Sequence, residues 1–178
     1  MTAEDKNSPA VLAVVKTMIA ELDLAVYTSR EDNAHQIHLR RDLPNEYVER
    51  QHVAILASNI QGVYTKTESL FSFIIENAEG KVPKNDSWHS ILLTLAASPI
   101  DGIRSEIISK KTFAGLKEVL GFRHVVRSNY IHELNPVRTF EIFEIFISSY
   151  NDLRQDLNNF YGFSDAHHKH DSGKLKPR

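Results

Sequence analysis

The chain has 178 residues, 42% hydrophobic and 25% charged, enough for one domain with a substantial core. A formal net charge of −2 argues against a uniformly basic nucleic-acid binder, and the lack of cysteine excludes disulfides, thiolate chemistry and the commonest structural zinc ligands. No apolar run approaches the roughly 18 residues of a membrane span, and Met1-Thr2-Ala3-Glu4-Asp5-Lys6 does not read as a secretory leader, so a cytoplasmic location is expected.

Ser8-Pro9 reads as an N-cap followed by Pro at the first helical position. Val11, Val15, Met18 and Leu22, with Leu12 and Ile19 beside them, then recur at helical spacing. Residues 30–45 are polar and contain Pro44, and they read as a connection with at most a short helical turn. A long helix is predicted from Glu46 to Asn77 on Val48, Ile55, Ile60, Val63, Leu70, Phe71 and Ile74, with Gly62 as a close-packing point. Gly80 and Pro83 end it, Asp86 is placed to cap a short helix carrying Trp88, Ile91, Leu92 and Leu95, and Pro99 stops that helix. Residues 100–108 read as a loop. Ser109 opens a central helix with Phe113, Leu116 and Leu120, and Asn135-Pro136 opens a last one with Phe140, Phe143, Ile147, Tyr150, Leu157 and Phe160. The pattern predicts an all-α bundle of four to five helices in residues 1–163 and a disordered polar tail in residues 164–178. In that tail His167, His168 and His170 could chelate a metal, but they read as a solvated tail or an appended remnant.

Charge is distributed unevenly. Between Arg104 and Arg138 seven basic residues face three acidic ones, a local +4 that leaves −6 for the remainder, so a polyanion is drawn to this segment. Within it lies Phe122-Arg123-His124-Val125-Val126-Arg127-Ser128-Asn129-Tyr130, followed by His132. On one helix Arg123, Arg127 and Tyr130 fall within about 60° of arc, and His124, Ser128 and His132 form a second stripe. Two arginines suit a phosphate, and histidine moves protons near neutral pH. The same stripes also fit a solvated helix face or an ion-paired seam. Trp88 reads as core, and His89 as a capping or packing residue.

At Arg123 to Tyr130 the sequence resembles the HepT-like toxins of the HEPN superfamily, helical-bundle ribonucleases partnered with MNT-type nucleotidyltransferase antitoxins. Their hallmark is an Arg, a polar residue, three further residues, a His, any residue and a Tyr; Arg123, His124 and Tyr130 match three of these positions. Trp88-His89 with Leu92-Leu93, Gly102-Ile103-Arg104, Gly121 to Arg127 and Leu134-Asn135-Pro136-Val137-Arg138 extend the resemblance over roughly Glu49 to Phe160.

That resemblance implies a HEPN-like up-and-down bundle and metal-independent RNA cleavage by 2′-OH attack, with no cofactor. Arg123 and Arg127 would bind the RNA phosphate, His124 or His132 would exchange protons, and Ser128 would supply hydrogen bonds. Tyr130 would be the hydroxyl that the antitoxin modifies with AMP. A homodimer is implied as well, and Ile142, Ile145 and Phe146 widen the apolar arc of the last helix enough to serve it. The chain departs from the hallmark at Ser128, which stands where the family has its catalytic His. A serine hydroxyl is a poor general base at pH 7. Three readings therefore stand: another histidine substitutes, the frame Arg127-x4-His132 operates, or the chain is an inactive interaction or regulatory module.

Overall fold

The computed structural model describes residues 8–80, 87–128 and 133–163. Helix formation begins where the sequence offers a capping acceptor. Ser8 Oγ accepts the Val11 amide at 3.3 Å and Pro9 fills the first position of α1 (Pro9–Asp42). Asn45 Oδ1 accepts the Val48 amide at 3.0 Å to start α2 (Glu46–Glu79), which Gly80 closes at φ 94°. α3 (Trp88–Ala96) is short. α4 (Lys110–Ser128) is held at its start by Asp156, which accepts from the Ser109 amide at 2.7 Å and the Thr112 hydroxyl at 2.6 Å. Asn135 caps α5 (Pro136–Tyr161), which ends on Gly162 in the left-handed conformation. Among the described residues every named element is a helix, and one isolated bridge joins Ile100 to Arg104.

The architecture is an all-α, HEPN-like up-and-down bundle. α1 and α2 form an antiparallel hairpin of two 34-residue helices, each about 50 Å long. α2 is the central element and touches α1, α3, α4 and α5, while α4 and α5 form the second hairpin. One core runs through all of them, with Leu22, Leu56, Ile60, Phe71, Leu92, Ile142 and Leu153 almost fully buried.

Three expectations are corrected. Residues 30–42 are not a connection but the last three turns of α1. Between Pro9 and Pro44 there is neither Pro nor Gly to break a helix, and Leu43, constrained by the following proline, takes up the extended φ −130° that ends it. The apolar rhythm fades there because this end of the hairpin is joined by polar groups. His52 Nε2 meets Asn33 Oδ1 at 2.8 Å, Asn59 donates to Asp32 at 2.9 Å, and Arg40 pairs with Glu49 at 2.8 Å. Gly62 is not a close-packing point, since nothing lies within 4 Å of a Cβ added to it. Gly115 fills that role: a Cβ there would collide with Ser149 Oγ and lie 3.1 Å from Ser149 Cβ, so α4 and α5 approach only across a glycine. Ile142 and Phe146 face the protein's own core and Ile145 packs on its edge, so these residues are not a spare apolar face for a second subunit. Asp86 and the histidine-bearing tail lie outside the described residues.

His52 is 1% exposed, and burial, helped by the Arg40 charge, lowers its pKa to about 4. Between about pH 4 and the ordinary 6.5 the unfolded chain binds a proton that folded His52 refuses. This contribution is therefore intact above pH 6.5 and is lost as pH falls towards 4. At about 1.4 kcal/mol per pKa unit the loss reaches roughly 3 kcal/mol. His52→Gln keeps a donor for Asn33 and cannot titrate. Urea unfolding of both proteins from pH 7 to pH 4 is expected to show the wild type losing roughly 3 kcal/mol more than the variant. Parallel pH curves would contradict this assignment.

Candidate active site

The inward face of α4 runs Thr112, Leu116, Val119, Arg123, Val126, so helical register carries Arg123 into the bundle. It is 9% exposed and is met by a carboxylate. Arg123 Nη1 lies 3.2 Å from both oxygens of Glu68 on α2, and 3.0 Å from Nδ1 of His89 on α3. His89 Nδ1 is 2.5 Å from Glu68 Oε1. The Arg123 guanidinium also sits 5.7 Å from the ring centre of Tyr64, one turn before Glu68. Three helices thus deliver one ionisable side chain each to a common point.

One proton lies between His89 and Glu68. With a guanidinium equidistant from both oxygens, the carboxylate is the natural acceptor, and the imidazole carries the proton on Nδ1. Burial pushes the Glu68 carboxyl above the ordinary range, against the His89 hydrogen bond and the charges of Arg123, His89 and Arg127. Tyr64 is likewise pushed up, first by burial and then by Glu68.

The predicted stripes are divided by depth. Arg123 is buried, whereas His124, Arg127 and Ser128 are exposed. His124 stays beside the cluster, its ring edge-on to His89 with centroids 6.3 Å apart, and the Arg127 charge is felt at Glu68. Ser128 Oγ donates back to the His124 carbonyl at 2.9 Å and the Val125 carbonyl at 3.2 Å, which ties it to its own helix. Tyr130 and His132 lie outside the described residues. Trp88 is half-buried against the core, its ring 4.2 Å from that of His89. The ion-paired seam and the solvated face are both present, one on each side of α4.

Sequence reasoning missed Glu68 and Tyr64. The signal was a single carboxylate inside the apolar stripe of α2, between Tyr64 and Phe71, where a buried acid needs a partner.

The chain is thus an all-α bundle with a buried Arg123, Glu68 and His89 cluster where α2, α3 and α4 meet. The model of the HepT-like protein family matches residues 55–164, more than half of the chain, and the protein belongs to that family. The match contains Glu68, His89, Arg123, His124, Arg127 and Ser128. No curated protein and no solved structure matches the chain. Among the described residues no helix is long and apolar enough to cross a membrane.

Proposed function

We propose that the protein is a HepT-like toxin, an endoribonuclease that cleaves RNA by attack of a ribose 2′-OH on the adjacent phosphate. The observation that carries this reading is Arg123, fixed by Glu68 and lying beside His89, with His124 next to that imidazole. A planar guanidinium held by a carboxylate loses little freedom when it meets a phosphate, and it stabilises charge that grows in the transition state. Arg127, exposed one turn later, is the second phosphate-binding cation. The proton acceptor is an imidazole, with His124 and His132 the candidates read from the sequence. Guanidinium groups perform the charge stabilisation that a divalent cation supplies in other nucleases.

In this reading the chain acts as a homodimer in the cytoplasm, as one domain over residues 1–163. An MNT-type nucleotidyltransferase antitoxin silences it by attaching AMP to Tyr130. A second reading, a catalytically inactive interaction or regulatory module, is favoured by one observation: Ser128 stands in for the family's histidine and spends its hydroxyl on α4 carbonyls.

One experiment separates the readings. Purified wild type and Ser128→His are incubated with transfer and messenger RNA in EDTA. The toxin reading expects the wild type to cleave, undiminished by the chelator. Cleavage by Ser128→His alone would favour the inactive module. Strict dependence on added Mg²⁺ or Mn²⁺ would overturn the mechanism.

A further inference from the structure

We propose that His89 is the catalytic base of this nuclease and Glu68 its positioning residue, an inference that rests on the ribonuclease reading above. The hallmark's imidazole is absent at Ser128, yet the structure brings another imidazole to the same arginine. His89 Nδ1 lies 3.0 Å from Arg123 Nη1.

Glu68 is what makes that imidazole usable. By accepting the Nδ1–H at 2.5 Å it fixes the tautomer, so the lone pair resides on Nε2, which has no hydrogen-bond partner among the described residues. The His89 side chain keeps 11% of its surface exposed, while Glu68 behind it keeps 5%. A carboxylate behind an imidazole also stabilises the imidazolium that forms when the ring takes a proton. The Trp88 ring, 4.2 Å away, restricts the imidazole's rotation. Glu68 serves Arg123 and His89 together, so the phosphate-binding group and the base are positioned by one anion.

The step balances as follows. Nε2 of His89 takes the 2′-OH proton as the 2′ oxygen bonds to phosphorus. The bond from phosphorus to the 5′ oxygen breaks, and that oxygen takes a proton from His124 or water. The products are a 2′,3′-cyclic phosphate and a 5′-hydroxyl, and the His89 imidazolium returns its proton to solvent. No redox partner or co-reactant is needed.

The test combines kinetics with a spectroscopic readout that does not require turnover. Histidine-¹⁵N-labelled wild type should show His89 with its proton on Nδ1, and Glu68→Met, which removes the acceptor, should lose that preference. His89→Ala, checked as folded by circular dichroism, should cleave RNA at least about 10²-fold more slowly. Added imidazole should restore part of the rate, which a merely packing residue would not allow. An Nε2–H tautomer in the wild type, or a folded His89→Ala that cleaves at the wild-type rate, would overturn the assignment while leaving the nuclease reading in place. Wild type that cleaves no RNA would overturn both.

Discussion

Arg123→Lys is expected to lower RNA cleavage by about 10²-fold or more while the bundle stays folded. Lysine keeps a positive charge opposite Glu68, which lies 3.2 Å from Arg123 Nη1, so the buried carboxylate keeps a counter-charge. It lacks the fork that can hold Glu68 through one nitrogen and offer its other N–H groups to a phosphate. Arg123→Ala is a poorer probe. It leaves the buried Glu68 without its guanidinium counter-charge and held by His89 alone, and breaking a buried ion pair typically costs about 3–5 kcal/mol, so lost activity would be mixed with lost structure. Steady-state cleavage of a labelled RNA, with thermal unfolding run in parallel, checks the prediction. A folded Arg123→Lys protein with the wild-type rate would remove Arg123 from the chemistry.

The largest stability loss is expected at Arg104. Its side chain is 0% exposed and its Nε pairs with Glu79 at the end of α2. Its Nη1 donates to the Ser98 carbonyl at 2.7 Å and the Ser105 carbonyl at 3.1 Å, and its Nη2 to the Leu95 carbonyl at 2.9 Å. One guanidinium thus caps the end of α3 and ties it to α2, in place of the glycine cap that α2 and α5 use. Arg104→Ala leaves a half-buried carboxylate and three carbonyls without this donor, and about 3–5 kcal/mol is expected to be lost in urea unfolding. Against a total stability of about 5–15 kcal/mol, that places the variant near the edge of folding. Because α3 carries His89, hydrogen exchange at Leu92 and Leu93 should accelerate with it. A loss below about 1 kcal/mol would mean that solvent or a neighbour replaces the guanidinium.

Capping signals made most of the fold legible. Ser8-Pro9, Ser109 and Asn135-Pro136 all mark helix starts, because an oxygen acceptor beside free amides is a local interaction written in adjacent residues. The end of α1 was illegible for the opposite reason. Residues 30–42 are held by Asn33, Asp32 and Arg40 reaching across to α2, and such pairings leave no periodic trace. Gly115 and Gly62 look alike in sequence, and only the approach of Ser149 distinguishes them.

The site was half legible. Arg123 and His124 stand out by type and spacing, but the depth that separates Arg123 from Arg127 depends on where the buried face of α4 points. In the sequence His89 reads as a packing residue because its partner Glu68 is 21 positions away on another helix. The same long-range contact turns an isolated acid and an isolated imidazole into a pair.

The central claim is tested most directly by the ends of the cleaved RNA. Purified wild-type protein is incubated in EDTA with an RNA that it cleaves, and the termini are read by mass spectrometry. Attack by the ribose 2′-OH predicts a 2′,3′-cyclic phosphate, or the 2′- or 3′-monophosphate formed when it hydrolyses, opposite a 5′-hydroxyl, with the same products from RNA treated in chelator or in magnesium. A 3′-hydroxyl opposite a 5′-phosphate, cleavage that persists where the attacking ribose is 2′-deoxy, or no cleavage of any RNA, would contradict it.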